Sequence, residues 1–231
     1  MIKNGSLSIF KAILSLIIYG FLSIGIPLLG WGMDDLPEFL ANPARVIFLV
    51  GSTLMAIIYA WFIPQNLVSD AVKDKLITRQ NITLWLSMAI YVIIFSLLPY
   101  CDHHNLWQIK AENNLRYVGV VMFTIGLIFS TWGPLHLGKQ FVFNVTIQSG
   151  NKLVTDGPFS YVRHPRYFGL FVWVLGVSLI YLSVMGLVMS GVYMLLLAWR
   201  IYDEENLLQK EFGQQWKNYC QQTKRIIPLI Y

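Results

Sequence analysis

The chain has 231 residues, of which 56% are hydrophobic and only 13% charged, and it carries 8 Trp, 12 Tyr and 14 Phe. Soluble domains of this size carry about 25% charged residues, so the composition excludes an ordinary water-soluble globule and indicates a membrane protein. The net charge of +5 comes without a basic run interleaved with aromatics, which argues against a nucleic-acid partner.

Crossing a ~30 Å hydrocarbon core takes roughly 20 helical residues, and apolar stretches of about that length recur along the whole chain. Only helices and closed barrels span lipid, and uninterrupted apolar runs favour helices. The sequence therefore predicts an all-α, polytopic integral membrane protein with six spans, at about 8–30, 44–63, 82–100, 116–137, 167–182 and 184–200. The last two form a tight hairpin. With both termini cytoplasmic, 14 of the 17 Lys and Arg residues lie inside and only Arg45, Lys110 and Arg116 outside, in line with the positive-inside rule. The first run follows Lys3 and Lys11 like a signal sequence, but its length and the lack of a small-x-small cleavage site predict a retained helix. Cys101 and Cys220 fall on opposite sides of the membrane, so no disulfide is expected.

Residues 1–115 read as a scaffold of three helices, without an ionisable residue near a span centre. There is no internal repeat and no matched pair of broken hydrophobic segments of the transporter kind. His103 and His104 in "CDHHNLW" make a poor metal site by themselves; they read as solvated, and no metal is expected. Asn81 in "NIT" fits the glycosylation pattern but is predicted cytoplasmic.

Within the C-terminal region, residues 116–231, the polar residues concentrate in two places: the loop 138–166 with the start of the fifth span, and the segment from Arg200 onward. The loop "LGKQFVFNVTIQSGNKLVTDGPFSYVRHP" begins with a β-branched and aromatic stretch, "FVFNVTIQ", that predicts a short hairpin-like excursion. "TDGP" then supplies a turn. Pro165 suits the first position of a helix, and the residue before a proline is pushed away from α geometry, which makes His164 the expected cap. Gly169 and Gly176, seven residues apart, open one face of this helix to close approach. His136 sits near the end of the fourth span and suits a helix C-terminus. After the sixth span, Leu208, Phe212, Trp216 and Tyr219 form an apolar stripe that predicts an interfacial C-terminal helix.

Taken singly, Arg163 and Arg166 read as snorkelling anchors, and His164 as a cap. Asp203, Glu204 and Glu205 read as solvated helix surface or as carboxylates in need of cations. Arg200 and Glu204, four apart, share one side of the last helix. Together, a basic helix start and an acidic helix exit on one membrane face suit a ligand that carries both charges.

"LVTDGPFSYVRHPRYFG", an apolar hairpin and then "RIYDEENLLQKEFGQQWKNY" resemble the isoprenylcysteine carboxyl methyltransferase family and its relatives among membrane phospholipid methyltransferases, over residues 130–228. The resemblance implies an integral membrane enzyme that uses S-adenosylmethionine in a cytoplasm-facing pocket. It puts the cofactor contacts at Asn144, Asn151, Lys152, Leu153, Val154, Phe159, His164, Pro165, Arg166, Tyr167 and Glu204, and a substrate-orienting catalytic arginine at Arg200. Phe159 stands where a tyrosine is common, and Asn144 where some members have glutamine. The implied partner is a lipophilic or lipid-modified substrate that enters from the bilayer. The acceptor is expected to be a prenylcysteine-like carboxylate. The alternatives are a phospholipid or other lipid N-methyltransferase, an NADPH-dependent sterol-type reductase, and a transporter without enzymatic activity.

Overall fold

A computed structural model describes residues 13–14, 16–61, 75–141 and 152–227, excepting the side chains of 75–81 and 139. Its helices are α1 (Leu16–Trp31), α2 (Leu36–Ala41), α3 (Pro43–Trp61), α4 (Lys75–His103), α5 (Asn114–Leu137), α6 (Pro165–Ile180), α7 (Val184–Phe212) and α8 (Gln214–Gln222). No strand occurs among the described residues. Helices α3, α4, α5 and α7 are each long and apolar enough to cross a membrane, which makes the chain an integral membrane protein.

The other two expected spans differ. α1 turns by 88° into Met33–Ala41, through Gly32 at φ +122°, a value that glycine adopts readily. α6 has 16 residues, about 24 Å of helix, and falls short of the hydrocarbon thickness by itself. Its ends are buried in protein instead: Pro165 and Ile180 are both core residues.

A glycine seam packs α5 against α6. A Cβ at Gly119, Gly126, Gly169 or Gly176 would fall under 3.0 Å from the backbone of the facing helix, so only glycine permits this approach. The expected open face of Gly169 and Gly176 is thus filled by α5. Around the seam, the Phe48 ring lies 5.2 Å from Phe95, 5.6 Å from Phe123 and 5.4 Å from Tyr181, joining α3, α4, α5 and the α6–α7 turn in one aromatic core. α6 and α7 form the expected hairpin; Ser178 and Ser190 hydroxyls hydrogen-bond across it at 3.2 Å.

Two ends of the bundle carry polar clusters. At one, Asp102 on α4, with its side chain fully buried, accepts from Arg45 Nε at 3.0 Å and from Arg116 Nη2 at 2.8 Å. Arg116 also donates to the carbonyl of Ile180, so the cluster fastens the near ends of α3, α4, α5 and α6. At the same end His103 is not solvated: its ring stacks on Trp31 at 4.5 Å, and its Nε2 lies 3.3 Å from Asp35. His103, Asp35 and Glu38 each bring one ligand-type atom to within 4.8 Å of the others. His104, by contrast, is exposed as expected. Cys101 at this end and Cys220 at the other are both free thiols.

The structure also places the last helix differently. α7 runs unbroken to Phe212, twelve residues past the expected exit at Arg200. Gly213, at φ +51°, then ends it with a backbone bond to the carbonyl of Gln209 at 3.1 Å. The expected interfacial stripe is consequently split: Leu208 and Phe212 stay on α7, while Trp216 and Tyr219 on α8 are buried against the 157–163 loop.

Candidate active site

The second polar end gathers the start of α6, the loop before it and the last turns of α7. Pro165 occupies the first turn of α6, and His164 the cap position at φ −124° and ψ 62°. The expected capping role is only positional, since the His164 side chain makes no capping bond. Its ring turns towards α7 instead. Nε2 lies 3.2 Å from Glu205 Oε1 and Nδ1 3.9 Å from Glu204 Oε2, and the ring is buried, with 2% of the side chain exposed.

The three adjacent carboxylates have three environments. Asp203 is buried in the bundle. Glu205 accepts from Arg163 Nε at 3.1 Å, His164 Nε2 at 3.2 Å and Arg225 Nη2 at 2.6 Å. Glu204 is the most open of the pair that faces His164, at 32% side-chain exposure against 12% for Glu205. The reading of this stretch as solvated helix surface therefore does not hold. Nor is Arg163 a snorkelling anchor: its guanidinium donates to Glu205 and to the carbonyls of Cys220 and Thr223, which closes the C-terminus of α8.

Below this surface layer lies a buried polar layer. Arg200, 3% exposed, donates to the Thr83 hydroxyl at 3.0 Å. Tyr167, 7% exposed, lies beside Arg200, and its ring centroid is 5.7 Å from that of His164. Arg166 points away from the His164–Glu204 pair. It packs over the Phe141 ring at 5.4 Å and lies beside Tyr59, whose hydroxyl donates to the Ser130 carbonyl at 3.2 Å.

The loop that leads in is pinned on both flanks. His136, on the last turn of α5, reaches Asp156 at 3.1 Å, and that bond is the main cause holding the Asp156 carboxyl below its ordinary range. Gly157 adopts φ +57°, where a Cβ would strike the His136 ring. On the other side, Tyr219 donates its hydroxyl to the Phe159 carbonyl at 2.6 Å. Burial raises that phenol's pKa, so it remains the donor at neutral pH.

Of the residues expected at the site, His164, Pro165, Tyr167, Arg200 and Glu204 come together at the α6–α7 mouth. Phe159, Leu153 and Val154 are half-buried along the incoming loop, and Lys152 is exposed, its amide donating to Gln140 at 2.9 Å. Asn144, Asn151 and the expected hairpin-like excursion lie outside the described residues. Glu205, Arg225, Thr83 and Tyr59 were not expected. Only Glu205 carried a signal, its place in the acidic triplet; the others come from distant segments.

Residues 115–215 match the family model of the phospholipid methyltransferases. A rice protein (Oryza sativa subsp. indica) named "Probable protein-S-isoprenylcysteine O-methyltransferase" is 26% identical over 164 residues, 66% of this chain and 84% of that one. The protein-S-isoprenylcysteine O-methyltransferase of Schizosaccharomyces pombe is 34% identical over 145 residues, 52% of this chain and 58% of that one. This chain is a homologue of the isoprenylcysteine carboxyl methyltransferases. The fold agrees: the solved structure of the eukaryotic intramembrane Ras methyltransferase, isoprenylcysteine carboxyl methyltransferase, superposes with a TM-score of 0.53 at 22% identity, over 100% of this chain and 87% of that one. The isoprenylcysteine methyltransferase resemblance read from the C-terminal motifs thus has its counterpart in an intramembrane helical architecture that includes the N-terminal scaffold.

Proposed function

We propose that the chain is an S-adenosylmethionine-dependent membrane methyltransferase that esterifies a carboxylate on a lipophilic, prenylcysteine-like acceptor. The observation that carries this reading is the mouth between α6 and α7, where an imidazole, an open carboxylate, a buried guanidinium and a phenol converge. S-adenosylmethionine bears a sulfonium, an ammonium and a carboxylate, and this donor set complements all three.

In this reading Glu204 accepts hydrogen bonds from a cationic or hydroxylic part of the cofactor, and Tyr167 and Phe159 offer aromatic faces to its adenine or sulfonium. The peptide N–H groups at the start of α6 face its carboxylate. The cofactor supplies an electrophilic methyl group whose C–S electron pair leaves with a neutral thioether. Arg200 orients the acceptor carboxylate, whose oxygen is ionised and needs no general base. The remaining work of the site is alignment and exclusion of water. An amine acceptor would first have to lose a proton, a step that an ionised carboxylate acceptor does not need.

The same reading puts the site on the cytoplasmic face with both termini, as the distribution of Lys and Arg supports. Cysteines placed at the exposed Lys217 and Lys110 test it: an impermeant thiol reagent should reach Lys217→Cys from the cytoplasmic side and Lys110→Cys from the opposite side.

The decisive experiment supplies methyl-labelled S-adenosylmethionine to membranes containing the protein. A base-labile ester on a lipophilic acceptor is the expected product. A base-stable N-methyl product would move the chain to the lipid N-methyltransferases, and no transfer at all would overturn the reading.

A further inference from the structure

The strongest ionic network of the described residues at this end centres on Glu205, one residue away from the carboxylate that the proposed site uses. Its carboxylate takes one hydrogen bond from each of Arg163, His164 and Arg225, which come from the loop, the start of α6 and the C-terminal segment. A carboxylate flanked by two guanidiniums is ionised and only accepts, so His164 Nε2 must carry the proton in the bond between them. That leaves Nδ1 as the nitrogen on the Glu204 side. The identity of the nitrogen offered to a ligand is thus fixed by a residue that does not face the ligand.

The C-terminal segment secures the same geometry by its backbone. The amide of Arg163 donates to the carbonyl of Lys224 at 2.8 Å, and that of His164 to the carbonyl of Arg225 at 3.1 Å, in a parallel bridge between Val162 and Lys224. His164 is therefore gripped twice by residues 224–225, directly through its amide and indirectly through Arg225 and Glu205. A strap of two backbone bonds, at the cap residue of α6 and the residue before it, is more than that helix needs to begin, because Pro165 already supplies the starting geometry.

We infer that Glu205 is a positioning residue for His164, and that through Glu205 and the backbone strap the segment Lys224–Arg225 belongs to the cofactor site. The inference rests on the reading of that site as an S-adenosylmethionine pocket. Glu205 itself touches no cofactor; it sets the orientation and tautomer of the ring that does, and Arg225 holds Glu205 in place.

Equilibrium binding of radiolabelled S-adenosylmethionine to the full chain in lipid nanodiscs tests the inference, together with kcat at saturating cofactor. Glu205→Gln keeps the shape but replaces an acceptor-only carboxylate by an amide that can present either group. It should raise the cofactor Kd about tenfold or more, while kcat at saturation changes by less than about threefold. Arg225→Ala should raise Kd by a smaller factor, about three- to fivefold, and Glu205→Asp should recover part of the loss. A wild-type Kd in Glu205→Gln overturns the inference. If that variant does not elute as a monodisperse species, a wild-type Kd in both Glu205→Asp and Arg225→Ala overturns it equally. A wild-type protein that binds no S-adenosylmethionine fails at an earlier point and overturns the functional reading itself.

Discussion

His164 Nδ1 stands 3.9 Å from Glu204 Oε2, across the mouth of a hairpin whose two strands of helix carry these residues at opposite ends of the sequence motif. The separation is longer than a direct hydrogen bond, and Glu204 retains 32% exposure, so the pair is held near each other without being consumed by each other. That is the arrangement expected of two groups that share a ligand. Glu204→Gln should therefore weaken S-adenosylmethionine binding by about 10- to 100-fold, the loss of a charge-assisted hydrogen bond, with little change in thermal stability. Binding and unfolding measured on the same preparation check this; wild-type affinity in Glu204→Gln would remove it from the site.

Arg200 belongs to a different half of the mouth. It is 3% exposed, bonded to Thr83 and adjacent to Tyr167, below the His164–Glu204 pair. Lysine keeps the charge but loses the planar fork that matches a carboxylate. Arg200→Lys should lower kcat/KM for the acceptor at least about tenfold and leave cofactor Kd within about twofold. Thr83→Val, which removes only the orienting hydroxyl, should give a smaller effect in the same direction. An equal loss of cofactor binding in Arg200→Lys would assign the guanidinium to the cofactor instead.

The legible part of this site was the part written locally. Pro165 announces the start of a helix, the four-residue step from Arg200 to Glu204 places both on one side, and the seven-residue step from Gly169 to Gly176 announces a close approach. Each is a relation within one helix. The relations that were missed join distant segments: Arg45 to Asp102, 57 residues apart, or Arg225 to Glu205 through a C-terminal segment that returns to the loop. No spacing rule specifies such pairs, because the fold and not the helix period brings them together. The length of α7 was missed for a related reason. Hydropathy falls at Arg200, but helix geometry continues through the polar residues until Gly213 supplies a positive φ.

The glycine seam predicts a contrast between two substitutions of the same kind. A Cβ at Gly126 would meet the Trp173 backbone, which cannot turn aside, so α5 and α6 would have to separate. Gly126→Ala should cost about 1–3 kcal/mol and lower the unfolding midpoint in detergent. Gly191, on the exposed face of α7, has nothing within 4 Å of such a Cβ. Gly191→Ala should leave the midpoint unchanged or raise it, since alanine is favoured over glycine inside a helix by about 0.5–1 kcal/mol. Equal effects at the two positions would mean that the seam does not determine packing.

The buried triad at the far end tests whether stability and function are separable in this bundle. Asp102 lies roughly 28 Å along α4 from Thr83, the residue that contacts Arg200. Removing its charge leaves two buried guanidiniums, of Arg45 and Arg116, facing each other without a counter-ion. Asp102→Asn should therefore cost about 3–5 kcal/mol, while the folded fraction keeps wild-type affinity for S-adenosylmethionine. Replacing the whole cluster is a different matter, because desolvation of three charges offsets much of their mutual attraction. The triple variant Arg45→Met, Asp102→Leu, Arg116→Met should recover a large part of the stability lost in Asp102→Asn, although the carbonyls of Glu38 and Ile180 lose a donor each. Urea or thermal unfolding of the two variants side by side measures this, and a triple variant less stable than Asp102→Asn would show that the cluster contributes net stability beyond the avoidance of unpaired charge.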